Sequence, residues 1–119
     1  MKKLDTSWKI FSAYVLMICL MLLTNLLSAQ VVVTQFNAEW NSTNDVEWFK
    51  KLSDCELAKV DIVEEPKLQD KHKIVIVPTI IIFKDGEEIK RYQADLSFKM
   101  LATKKEIQEF INEQIMSDF

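Results

Sequence analysis

The thiol and imidazole inventory of this chain is two cysteines, Cys19 and Cys55, and one histidine, His72. Disulfide exchange needs a thiolate of lowered pKa and a second thiol close by to resolve the mixed disulfide. Cys19 lies within an apolar leader, and Cys55 is the only thiol once that leader is removed. The mature chain then has no internal disulfide open to it, although an oxidising compartment would permit one. Cys55 leaves two readings: single-thiol exchange, with a disulfide-linked dimer as one form of it, or an inert small apolar residue near the start of a strand. The sequence holds no cluster of histidines and cysteines, so neither a structural metal site nor any cofactor is expected, and His72 reads as a surface helix residue. Asn41-Ser42-Thr43 spells the N-x-[ST] glycosylation acceptor, but the leader is bacterial in style and no glycan is expected.

The leader occupies residues 1–29. Lys2, Lys3 and Lys9 precede an apolar run from Ile10 to Leu27, and Leu27-Ser28-Ala29 closes it with a small residue. This is the layout of a secretory signal peptide, which would leave Gln30 as the first residue of the exported form. The run over residues 10–27 also approaches the roughly 20 residues a membrane span needs, so the second reading is a retained anchor. Both readings place residues 30–119 outside the cytoplasm, periplasmic or attached to the membrane and facing outward, because the basic residues stay inside. The exported part holds 12 basic and 17 acidic residues, a net charge of −5. A nucleic-acid binder would show a basic face instead, so that class of partner is excluded.

The elements that must position any site follow from the hydrophobic pattern. Val31-Val32-Val33-Thr34-Gln35-Phe36 is a β-branched run of buried-strand type. Ser42 or Thr43 is expected to cap a helix that carries Asp45 and Glu47 in its first turn and Val46, Phe49 and Leu52 on one face. Glu56–Ile62 reads as a second strand and Pro66–Lys71 as a short helix with proline in its first turn. Pro78 cannot donate to a ladder, so the next strand begins at Thr79 and runs to Phe83. Asp85-Gly86 joins it to Glu88–Tyr92 as a hairpin. Residues 94–102, with Leu96, Phe98, Met100 and Leu101, read as a packed loop. Thr103 to Glu106 is a T-x-x-E capping box that opens a helix with Ile107, Phe110, Ile111 and Ile115 on one face. A crossover helix makes the first two strands parallel and the hairpin makes the others antiparallel. The class is α/β, with a four-stranded mixed sheet built as β-α-β plus β-β-α.

Phe36-Asn37-Ala38-Glu39-Trp40 is similar to the F-W-A-E-W segment that leads into C-G-P-C in thioredoxins. Val77-Pro78-Thr79 is similar to the V/I-P-T motif, and Phe83-Lys84-Asp85-Gly86-Glu87 to the F-K-N-G-E turn. Residues 31–88 thus resemble the thioredoxin-like family closely, and the last helix resembles it loosely. The resemblance implies the minimal core of that fold without its first strand and helix, and a cis bond at Val77–Pro78. It also implies that the two active-site cysteines are replaced by Asn41 and Asn44, and the buried acid of the preceding strand by Gln35. An amide is neither nucleophilic nor oxidisable, so the expected protein is a redox-inactive member without catalytic residues. What remains is a surface for an extended peptide or partner protein, formed by Asn41, Asn44, Val77 and Pro78, with the Ile76-Val77 backbone open to pair with it. Trp40 and Trp48 flank that surface and are read as covering the core edge. The competing readings are exchange through Cys55 and a structural envelope subunit.

Overall fold

The computed structural model describes residues 30–117. Residues 1–29, with Cys19 and the expected leader and cleavage site after Ala29, lie outside the described residues. Four strands form one mixed sheet: β1 (Val31–Asn37), β2 (Glu56–Asp61), β3 (Thr79–Lys84) and β4 (Glu87–Gln93), in the order β2-β1-β3-β4. β1 and β2 are parallel, and β3 is antiparallel to both β1 and β4. Ile80, Ile81 and Ile82 are all fully buried. Consecutive strand residues point to opposite faces, so both faces of β3 are covered.

Two helices do the covering: α1 (Pro66–His72) and α2 (Lys104–Met116). On one face Val31, Val33, Ile80, Ile82 and Tyr92 pack with Ile107 and Ile111 of α2 and with Val46, Phe49 and Leu52. On the other, Phe36 and Ile81 pack with Ala38, Ile62, Ile74 and Val77, and Leu68 of α1 adds to the cluster. The hairpin turn has positive φ at both central residues, 53° at Asp85 and 83° at Gly86, as a type I′ turn requires. Thr103 caps α2 by accepting from the Glu106 N–H at 3.2 Å.

α1 ends at Lys73 in the left-handed region, and Arg91 of β4 completes that end. Its guanidinium donates to the carbonyls of His72 at 2.6 Å and Lys73 at 3.1 Å, and pairs with Glu88 at 2.8 Å. A cation suits a helix C-terminus. The His72 ring sits between Phe36 and Phe83, at centroid distances of 5.4 and 5.3 Å. Loss of solvent lowers its pKa below 6.5, with Lys71 adding to the effect and Glu88 opposing it. The fold therefore favours neutral imidazole. Its contribution is complete above pH 6.5 and is lost as pH falls through the lower folded-state value. An NMR titration of His72 is expected to give a midpoint under 6.5, and His72→Phe to remove this part of the acid sensitivity. A midpoint at or above 6.5 would show that the ring is not desolvated between the two phenylalanines.

The chain departs from the expected pattern in three places. No α-helix follows Ser42 or Thr43: two 3-10 turns stand there instead, Glu39–Asn44 and Phe49–Lys51, and no side chain caps either. The apolar face of Val46, Phe49 and Leu52 is buried as its spacing implies, but side chains take over the backbone groups a helix would use. Gln35 Oε1 accepts the Val46 N–H at 3.0 Å, and Asn41 and Asp45 leave helical dihedrals. Trp40 does not cover the core edge; it is 62% exposed, whereas Trp48 packs on the core. Nor is the loop before α2 packed throughout: Met100 meets the core, but Leu96 is 93% exposed, and Phe98 and Leu101 are also exposed. That loop is ordered by Asp95 rather than by apolar burial.

Candidate functional site

The site lies at the carboxyl end of β1, where the chain leaves the sheet at Asn37 and turns through residues 39–44. Parallel strands open a crevice at that end. Asn41 is buried, and its amide is the centre of a network. Asn41 Nδ2 donates to Asn37 Oδ1 at 3.1 Å and lies 3.4 Å from the carbonyl oxygens of both Val77 and Phe98. Asn41 Oδ1 accepts from Asn44 Nδ2 at 2.8 Å. Asn37 Nδ2 in turn donates to Asp45 Oδ1 at 2.6 Å, and Lys59 pairs with Asp45 Oδ2 at 3.1 Å. Three amides thus point their N–H groups one after another towards one carboxylate, an arrangement in which each bond polarises the next. Every buried side-chain nitrogen and oxygen among the described residues has a partner.

Opposite this network is the bend at Val77–Pro78, whose peptide bond is cis. Val77 and Pro78 are both buried. The Pro78 carbonyl accepts the Ala94 N–H at 3.0 Å, and the Ile76 carbonyl accepts the Thr79 hydroxyl at 2.5 Å. The third wall is the loop over residues 95–99. Asp95 Oδ1 accepts from the Ser97 N–H at 2.9 Å, the Ser97 hydroxyl at 2.6 Å and the Lys99 N–H at 3.1 Å. The bonds from the Ser97 hydroxyl and the Lys99 backbone hold the Asp95 carboxyl below its usual range. At the loop tip Phe98 has φ 64° and meets the exposed Trp40 ring edge-on, centroid to centroid 5.4 Å.

The residues singled out from the sequence, Asn41, Asn44, Val77 and Pro78, do come together. Only Asn44 among them keeps a partly accessible side chain. The Val77 backbone, expected to stand open, has its carbonyl covered by the Asn41 amide. Asn41 of the sequon is likewise buried, with its two N–H groups shared among three oxygens, that of Asn37 at 3.1 Å and those of Val77 and Phe98 at 3.4 Å. Cys55 precedes β2 at the other end of the sheet. Glu56 pairs with Val32, five residues before Asn37, so the thiol lies on the order of 16 Å from the site. Burial first, and the Asp54 charge second, push its pKa above 9.0. Asn37, Asp45, Lys59 and Phe98 also belong to this cluster, although the sequence points to Asp45 only as a first-turn acid and to Phe98 only as part of a packed loop. Asp95-x-Ser97 carried a signal for the loop, the side-chain-to-backbone turn of aspartate. As built, the site presents hydrogen-bonded amides and an aromatic rim.

The family model described as Thioredoxin matches residues 22–113. Among curated proteins the chain is similar to a human thioredoxin-related transmembrane protein 1, 38% identical over 76 residues, which is 64% of this chain and 24% of that protein. It is also similar to a chloroplastic thioredoxin Y1 of Arabidopsis thaliana, 39% identical over 46 residues, or 39% of this chain and 27% of that one. The match spans about a quarter of the length of each. Among solved structures, Fasciola hepatica thioredoxin superposes with a TM-score of 0.53 at 28% identity, over 79% of this chain and 89% of that one. A Halobacterium salinarum thioredoxin superposes with a TM-score of 0.59 at 24% identity, over 73% and 76% of the two chains.

Proposed function

Because the chain belongs to the thioredoxin family, we propose that it keeps that family's scaffold as a non-catalytic module, binding an extended polypeptide or partner protein beside the Val77–Pro78 bend. The observation that carries this reading is the exchange of chemistry for contact at one place. Asn41 and Asn44 are amides tied to one another, while Trp40 and Phe98, which meet edge-on beside them, leave apolar surface exposed. An aromatic rim beside the backbone bend suits a polypeptide ligand, for which the rings supply anchors. The acidic balance favours a basic or neutral segment over an acidic one. Exchange through Cys55 has the geometry against it, since that thiol is remote from the rim and its thiolate is disfavoured.

The same proposal includes an extracytoplasmic position. The leader over residues 1–29 is taken as an export signal or anchor, in keeping with the transmembrane relative. Gln30 enters the sheet at the end of β1 opposite Asn37, roughly 23 Å away along seven strand residues. A domain tethered by its leader would hold the rim away from the bilayer.

The test is titration of residues 30–119 with reduced, carboxamidomethylated lysozyme, a permanently unfolded basic chain. Wild type is expected to bind with a Kd in the micromolar range, typical of small transient contacts. Trp40→Ala is expected to weaken binding about tenfold, as loss of a central aromatic anchor does. Met116→Ala, which removes an exposed apolar residue from the C-terminal end of α2, should leave it unchanged. No binding, or binding indifferent to Trp40→Ala, would overturn the assignment.

A further inference from the structure

We propose that residues 95–99 form a strap that closes over the Val77–Pro78 bend, with the Asn41 amide as its latch, so that capture of a strand there requires the strap to open. The inference rests on the reading of the bend as a polypeptide-binding surface and says how access to that surface is governed. A docking strand lies about 4.7–4.9 Å from the backbone it pairs with and donates N–H groups to its carbonyls. At the bend the Val77 carbonyl already faces Asn41 Nδ2 at 3.4 Å, and the same nitrogen lies 3.4 Å from the Phe98 carbonyl. The strap tip therefore stands within the reach of one amide group from the acceptor a partner needs. Asn41 stands where an incoming N–H would sit.

The fastening is lopsided, as a movable part requires. Within the strap the bonds are short: Asp95 Oδ1 gathers the Ser97 N–H, the Ser97 hydroxyl and the Lys99 N–H, and the Asp95 N–H donates to the Lys99 carbonyl at 2.9 Å. At its ends Ala94 and Met100 pair as an isolated bridge. Between the strap and the site only the long contact to Asn41 and the edge-on meeting of Phe98 with Trp40 are made. N–H···O contacts of 3.4 Å lie beyond the ordinary range and are weak. The strap is thus a preformed unit, stiff in itself and lightly held. Phe98, a bulky residue at φ 64°, has an unfavourable backbone in the closed form. Leu96 is 93% exposed in the closed form, so its apolar area is free to be covered by a partner.

Asp95→Ala unties the strap without touching the bend or the core. With the unfolded lysozyme probe, this variant is expected to bind five- to tenfold more tightly than wild type. Faster amide exchange at Phe98 and Lys99 should accompany the gain. The substitution removes a negative charge, which by itself would weaken binding to a basic chain, so a gain reports access. Ser97→Ala, a milder change at the same hub, should give a smaller gain in the same direction. If the strap amides exchange faster while affinity stays the same or falls, the strap is a wall of the surface and not its cover, and the proposal is overturned alone. If exchange at Phe98 and Lys99 is unchanged, Asp95 does not fasten the strap and the proposal is overturned as well. If neither wild type nor variants bind, the polypeptide-binding reading fails and the strap fails with it.

Discussion

The domain over residues 30–119 is expected to give no acceleration of insulin disulfide reduction by dithiothreitol, and Cys55→Ser is expected to give the same null result. Exchange proceeds by attack of a thiolate, and a second thiol must release the mixed disulfide that forms. Asn41 and Asn44, which the proposed reading puts in place of those thiols, are amides joined by a 2.8 Å hydrogen bond. Cys55 is the free thiol among the described residues, and burial together with Asp54 raises its pKa above 9.0. The thiolate, which is the attacking form, is therefore disfavoured at Cys55. It also sits at the far end of the sheet from the bend and the aromatic rim, so a substrate held there would not reach it. On the proposed reading, then, exchange lacks a reactive thiolate, a resolving partner and a thiol at the bend. Acceleration that vanished with Cys55→Ser would assign single-thiol exchange to this residue and displace the binding module as the main reading.

How far the sequence leads depends on whether an element is decided locally. β1, β3 and the β3–β4 hairpin were readable because a β-branched run, an Asp-Gly turn and a proline barred from the ladder each act within a few residues. The start of α2 was readable for the same reason, since Thr103 bonds to an N–H three residues on. The segment from Ser42 to Leu52 shows the opposite case. Its apolar spacing announces a helical face, and that face is buried. The backbone, however, is settled by Gln35, 11 residues earlier in the chain, and by the pull of Asn37 and Lys59 on Asp45. Short segments have little intrinsic helical stability to resist such competition. Arg91 is a similar case, a strand residue whose donors reach carbonyls 18 and 19 residues away at the end of α1. Of the candidate site, the four residues and their meeting point were readable. Their burial was not, because it depends on a loop whose shape is set by Asp95 rather than by its leucines and phenylalanine.

Removing the Asn41 side chain is expected to destabilise the domain by about 2–4 kcal/mol, the cost of leaving buried polar groups without partners at about 1–3 kcal/mol each. Alanine at 41 strands Asn37 Oδ1, takes the long contact from the buried Val77 carbonyl and releases Asn44. Against a total of about 5–10 kcal/mol for a domain of this size, that is a large fraction. Asn44→Ala removes one bond at a partly exposed position and should cost under about 1 kcal/mol. Both values are read from urea unfolding midpoints at constant m. Asn41→Asp supplies a sharper test because it keeps the shape and changes the donor. The ionised carboxylate would face the oxygens of Val77, Asn37 and Phe98 and could donate to none of them, so the fold should favour its protonated form and raise its pKa. A raised folded-state pKa leaves stability intact below the unfolded value of about 3.9 and removes it as pH rises through the folded value. The deficit of Asn41→Asp relative to wild type is therefore expected to grow between pH 4 and pH 7, whereas that of Asn41→Ala should be flat. A deficit for Asn41→Ala below about 1 kcal/mol, or one for Asn41→Asp indifferent to pH, would mean that this amide does not anchor the turn over residues 39–44.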